Sequence, residues 1–171
     1  MTIFIRWGAL SDTGVLRLQN EDAMLAQEGL FVVADGMGGH NAGEVASAMA
    51  VKFLRAAQTN GIADAKQLNS VIKEINEKIF QAASDQTDQR GMGTTLTALA
   101  ITPTDKSKSD NESKSVTVAN IGDSRTYLLR DGELRQVSVD HSYVQELVSE
   151  GLITRDEART HARRNIVTRA L

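Results

Sequence analysis

The sequence predicts an α+β fold built on antiparallel strands, and three observations carry that expectation. Short apolar runs come in hairpin-like groups, two long amphipathic stretches stand apart from them as blocks, and Asp131-Gly132 joins two strand-like segments as a two-residue connection. A βαβ alternation is missing. With 171 residues of which 41% are hydrophobic, the chain is long enough for one substantial core, and a single domain over residues 1–171 is expected.

Taken in order, residues 3–9 and 29–34 are apolar runs bounded by turn residues, as buried strands are, with a further strand over 23–27. The second run delivers the chain into the acidic turn Asp35-Gly36-Met37-Gly38-Gly39-His40. From Ala42 to about Asn60, Val45, Met49 and Phe53 run beside Ala46, Ala50 and Leu54, a broad helical stripe rich in small residues. Leu68, Ile72, Ile75, Ile79 and Ala82 mark a second amphipathic helix over roughly 65–84. Residues 95–102 read as a strand, and 103–115 as a solvated polar loop holding the only proline. A strand over 116–121 follows, then segments 126–130 and 133–137 flanking Asp131-Gly132, the pair favoured by a type I′ hairpin. A helix is expected near 143–150, and Thr154-Arg155-Asp156-Glu157 is a capping box that opens another.

Composition narrows the function classes. A net charge of −3 gives no basic footprint for nucleic acid or anionic lipid. The absence of cysteine removes thiol nucleophiles, disulfides and cysteine-ligated zinc. No run approaches the length of a membrane span and the N-terminus carries no cleavage-site pattern, so the cytoplasm is the expected compartment.

Four clusters can carry chemistry. Arg17-Leu18-Gln19-Asn20-Glu21-Asp22 places a guanidinium near two adjacent carboxylates, and Asp35-Gly36 adds an acid at the end of a buried strand. Such oxygen donors suit hard divalent cations, Mg²⁺ or Mn²⁺, which keep several waters, and Gly36 lets a backbone carbonyl approach closely. Two such ions would lower the pKa of a water for in-line attack on phosphorus while Arg17 holds phosphoryl oxygens bidentately. Gly91-Met92-Gly93-Thr94-Thr95 and Asn120-Ile121-Gly122-Asp123-Ser124-Arg125 are the remaining two. Taken alone, each cluster also has an ordinary reading: a tight turn for Asp35-Gly36 and for Gly122-Asp123-Ser124, a surface ion-pair group for Arg17, Glu21 and Asp22, and a glycine loop entering a strand for residues 91–95.

In order and together, they resemble one family. Arg17-x-x-Asn20-Glu21-Asp22, Val33-Ala34-Asp35-Gly36-Met37-Gly38-Gly39-His40, Ala42-Gly43-Glu44, Gly91 to Thr95, Asn120 to Arg125 and Asp140-His141-Ser142 are similar to the bacterial branch of the PPM (PP2C-like) serine/threonine phosphatases. The likeness runs over nearly the whole chain, with Ala162 standing where proline commonly follows the histidine. It implies an αββα sandwich, two antiparallel sheets packed face to face and flanked by helices. It also implies Asp35 as the acid bridging two Mg²⁺ or Mn²⁺ ions, Gly36 as a carbonyl ligand, Glu21 and Asp22 in the ligand or water-bridging shell, and Arg17 as the phosphate-binding arginine. Asp123 would serve a third, weaker metal site, and residues 143–163 would form a flap beside the active site. His40 stands as a candidate for proton transfer or as a structural residue of the turn, since in the animal branch the acid histidine directly follows Asp-Gly, where this chain has Met37.

The resemblance further implies hydrolysis of phosphoserine and phosphothreonine in proteins, with a serine/threonine kinase or its targets as partners. A Ser-Asp-Gly strand end and a Gly-x-Asp-Asn motif, which supply two more acidic ligands in the family, do not occur here. The chain is therefore expected to be the N-terminal portion of such a domain, C-terminally incomplete, and the alternative reading is a catalytically inactive PPM-like binding or regulatory module.

Overall fold

The computed structural model describes residues 4–39, 42–85, 89–103 and 114–171. Its elements are β1 (Asp22–Gln27), β2 (Leu30–Met37), α1 (Ala42–Thr59), α2 (Ala65–Asp85), β3 (Gly93–Thr94), β4 (Leu96–Pro103), β5 (Lys114–Ile121), β6 (Tyr127–Arg130), β7 (Glu133–Gln136), α3 (Tyr143–Ser149) and α4 (Arg155–Thr160). One antiparallel sheet runs β1-β2-β4-β5, with β3 also paired to β2, and β6-β7 forms a second, two-stranded sheet. The expected α+β class with antiparallel sheets and covering helices is what the chain adopts.

Strand β2 organises the core because its side chains alternate cleanly. Leu30, Val32 and Ala34 point to one face and are buried, while Val33 and Asp35 point to the other and are exposed. Helix α1 lies on the buried face, where its small residues Ala42, Ala46 and Ala50 let backbones approach and Leu54 fills the space beyond. Helix α2 then covers α1 through Leu68, Ile72, Ile75 and Ile79, the stripe its sequence predicts. Its start is closed by Asp64, whose carboxylate accepts from Gln67 N–H, while the Gln67 side chain accepts in return from Ala63 N–H.

The opposite face of the large sheet is bonded to the segments that flank the smaller one. The Thr97 hydroxyl bonds that of Thr126 at 2.8 Å, and Asn120 Nδ2 donates to the Val139 carbonyl at 3.2 Å. The hairpin turn is type I′, with Asp131 at φ 52° and Gly132 at φ 83°. Two strands cannot cover that whole face, so Val33 and Val116 remain 47% and 60% exposed. At the base of the hairpin, the Arg125 guanidinium grips both oxygens of the buried Asp140 carboxylate, which also accepts from Gln136. That pairing holds the Arg125 pKa above its ordinary value, through the hydrogen bonds to Asp140 first.

Three expectations are corrected. Residues 4–9 form no strand, because none of the described strands lies alongside to take its backbone hydrogen bonds; Phe4 is exposed and Trp7 makes only an edge contact with Phe31. Asp35 and Gly36 do not form a turn: β2 continues through Met37, pairing Gly36 with Thr94 and Met37 with Gly93, and the chain turns at Gly38, at φ 151°. Strands β4 and β5 extend to Pro103 and from Lys114, so the polar loop is shorter than expected, and its residues 104–113 lie outside the described residues. Among the described residues, no helix is long and apolar enough to cross a membrane.

One contact fixes the distance between α1 and the sheet. A Cβ on Gly36 would stand 2.1 Å from the Gly43 carbonyl oxygen and 2.6 Å from that of Glu21, and one on Gly43 would stand 2.7 Å from the Gly36 carbonyl carbon. These are backbone atoms and cannot rotate away. Gly36→Ala and Gly43→Ala are each expected to lower stability by about 3 kcal/mol, whereas Gly8→Ala should stay within about 0.5 kcal/mol, measured by urea denaturation. By the same measurement Arg125→Met should cost about 2–3 kcal/mol, because it strands the Asp140 carboxylate among protein atoms.

Candidate functional site

The end of β2 gathers three of the four predicted clusters. Register pairs Asp22 directly with Asp35 across β1 and β2, so both carboxylates leave the sheet on the same face. The Asp35 peptide is held from the other side: its N–H donates to the Thr95 hydroxyl at 3.0 Å, and its carbonyl accepts from Thr95 N–H at 2.9 Å and from the Thr94 hydroxyl at 3.0 Å. Thr94 and Thr95 are themselves buried. The Gly-Met-Gly-Thr-Thr segment is thus the cradle of the acid, a role its sequence did not reveal.

Gly36 N–H donates to the Glu21 carbonyl at 3.1 Å, which also accepts from the buried Ser47 hydroxyl at 2.6 Å. The backbones of residues 21 and 36 are therefore locked together, while the Glu21 carboxylate turns aside to pair with Arg17 Nη1 at 3.1 Å. Arg17 is largely exposed and its charge still reaches Asp35. The fourth cluster arrives from β5. Thr95 Oγ1 bonds Ser124 Oγ at 2.7 Å, and Gly122, at φ 93°, presses on the Thr95 side chain where a Cβ would come within 2.6 Å of Cγ2. Asp123 is thereby held close enough to act on Asp35 through its charge.

This crowding raises the Asp35 pKa from 3.8 to about 6. Loss of hydration among neighbouring protein atoms is the largest cause, although the residue as a whole is exposed; then come the Asp22 charge, the sharing of a proton with Asp22, and the Asp123 charge, with Arg17 opposing. Asp35 thus faces the negative charges of Asp22 and Asp123, with Arg17 as the opposing cation. Carboxylate oxygens suit a hard, hydrated divalent cation, and Asp22 and Asp35 are the side chains that could hold one. Among the described residues no group of three or more His, Asp or Glu side chains encloses a metal position. His40 lies outside the described residues.

The segment after the hairpin closes around the same corner. Ser142 caps α3 by accepting from Gln145 N–H, and Thr154 and Glu157 form the capping box of α4 as predicted. Those hydrogen bonds from Thr154 hold the Glu157 pKa below its usual value. The chain then returns to β3, where Leu171 and Thr94 exchange backbone hydrogen bonds of 2.9 and 3.0 Å. This long-range pairing left no trace in the local sequence pattern.

Comparison with known proteins agrees with this arrangement. The family described as Protein phosphatase 2C matches residues 17–170. The serine/threonine protein phosphatase PstP of Mycobacterium tuberculosis is 41% identical over 174 residues, covering all of this chain and 32% of that protein. The serine/threonine phosphatase stp of Listeria welshimeri is 42% identical over 172 residues, covering 94% of this chain and 64% of its own length. The crystal structure of PstP superposes with a TM-score of 0.85 at 41% identity, over 97% of this chain and 67% of that one. A second, the PstP catalytic domain in complex with two manganese ions, gives 0.79 at 39% identity, over 96% of this chain and 66% of that one. The chain therefore spans about a third of the mycobacterial relative and less than two thirds of the Listeria one. With the family matched across nine tenths of its residues and the acids at the end of β2 brought together, the chain belongs to the protein phosphatase 2C family.

Proposed function

We propose that this chain carries the metal-binding corner of a protein serine/threonine phosphatase, which hydrolyses phosphoserine and phosphothreonine in proteins. The observation that carries the reading is the pairing of Asp22 with Asp35, with Asp123 brought alongside, where the sheet, α1 and the 91–95 segment lock a backbone in position. The manganese complex of the PstP catalytic domain and the named activities of both relatives support it.

In this reading Asp35 and Asp22 hold Mg²⁺ or Mn²⁺, the Gly36 carbonyl and Glu21 complete the near shell, and Asp123 serves a further, weaker site. The bound ions supply an activated water for in-line attack at phosphorus. Arg17 leaves its exposed pairing with Glu21 and donates to the phosphoryl oxygens; that switch is cheap, because an exposed ion pair contributes little. Thr94 and Thr95 keep the Asp35 backbone fixed during the reaction. Residues 143–163 act as a flap beside the site, the substrates are phosphoproteins of a serine/threonine kinase pathway, and the compartment is the cytoplasm.

Two outcomes test the reading. Manganese should drive release of phosphate from a phosphothreonine peptide, and Asp35→Asn should reduce the rate at least about a hundredfold, the scale on which one lost transition-state contact is felt. An unchanged rate in that variant would sink the assignment. The second test is thermodynamic. The Asp35 pKa is higher in the folded protein than the unfolded value of 3.8, so its contribution is fully present below that pH and lost as pH rises through about 6. In metal-free protein, Asp35→Asn should therefore match the parent near pH 3.8 and exceed it in stability above pH 6. Addition of Mn²⁺ should erase that difference at neutral pH by stabilising only the parent, as read from urea midpoints.

A further inference from the structure

His141 lies at the base of the 143–163 segment, between the Asp123 turn and the returning chain. On one side its backbone N–H donates to the Gly122 carbonyl at 2.8 Å, and its ring Nδ1 faces the Gly122 N–H at 3.1 Å. On the other side Thr168 N–H donates to the His141 carbonyl at 2.9 Å, and Arg169 Nη1 stands 3.1 Å from Nε2. Two residues beyond Arg169, Leu171 pairs with Thr94, whose hydroxyl holds the Asp35 carbonyl. A closed circuit of hydrogen bonds thus runs from the Asp35 peptide to the Asp123 turn, and His141 is the residue that closes it.

The ring faces two donors with one lone pair. A neutral imidazole accepts at one nitrogen only, and a guanidinium can only donate. The Gly122 amide is fixed in a turn that cannot move without displacing the buried Thr95, while the Arg169 side chain is exposed and free to turn to water. The tautomer that accepts at Nδ1 therefore satisfies the donor with no alternative, and Arg169 remains beside the ring as a cation.

We propose that His141 is a positioning residue that clasps the Gly122–Asp123 turn, already set against Thr95, to the chain returning from the 143–163 segment, so that the turn and that segment order each other. The importance of Asp123 rests on the phosphatase reading; the clasp itself does not. Burial holds the ring's pKa below 6.5, aided by the Arg169 charge and opposed by Asp140 and Glu146. Protonation at Nδ1 removes the acceptor for Gly122 and sets a cation against Arg169, so acid opens the clasp.

The test uses the metal-free, ¹⁵N-labelled chain, followed by nuclear magnetic resonance. In the parent, the Gly122 amide shift should titrate with the midpoint of the His141 ring, and Arg169→Gln should raise that midpoint. His141→Ala should speed hydrogen exchange about tenfold at Gly122 and at Leu171 alike, the effect of losing one hydrogen bond and the segment it seats. His141→Asn, which keeps an acceptor near the Nδ1 position, should restore protection at Gly122. A Gly122 shift with no inflection at the ring's midpoint overturns the proposal, as does exchange at Gly122 and Leu171 that is unchanged in His141→Ala. Loss of protection at Gly122 with Leu171 unaffected overturns it too. None of these readouts involves metal or turnover, so their failure leaves the phosphatase reading standing, and its failure leaves them intact.

Discussion

Everything at the acidic corner depends on how closely the first turn of α1 approaches the end of β2. Gly36 and Gly43 meet backbone to backbone, a spacing that no side chain on either residue would permit. This approach lets the Glu21 carbonyl serve Gly36 N–H and the Ser47 hydroxyl together, which ties β1, β2 and α1 at a single point. With three elements fixed there, the acids on the outer face have nowhere to retreat from one another. Their mutual repulsion is a product of main-chain packing behind them.

The same logic explains why the site is rigid without being enclosed. Asp35 is exposed, yet every polar atom of its peptide has a partner in the buried Thr94 and Thr95. The backbone is anchored in the core while the carboxyl faces water, an arrangement suited to a charge that must stay in position and stay accessible. Arg17, by contrast, comes from a segment without regular structure and, among the described residues, pairs with Glu21 at the surface.

Much of this was legible in the sequence where the code is local. The apolar periods of α1 and α2, the Asp131-Gly132 hairpin and the Thr154–Glu157 capping box each depend on residues within a few positions, and each forms as expected. The order of the motifs also gave the family. Contacts between distant segments were not legible. The 3–9 run has the composition of a strand, but a strand needs a neighbour, and composition does not supply one. Asp35-Gly36 has the composition of a turn, but pairing with Gly93 and Thr94 overrides it. The closure of Leu171 on Thr94 and the grip of Arg125 on Asp140 join residues whose proximity only the assembled fold creates.

The alternation of β2 gives Asp35 a second task in folding. Because neighbouring strand residues face opposite sides, a slip of one position against β1 or β4 would carry the carboxylate into the layer under α1 and expose Val32 and Ala34. Burying an unpaired charge there is prohibitive compared with the few hydrophobic contacts at stake. The acid thus acts as a proofreader of strand register: the residue on which chemistry would depend also rejects the misaligned sheets in which that chemistry could never assemble.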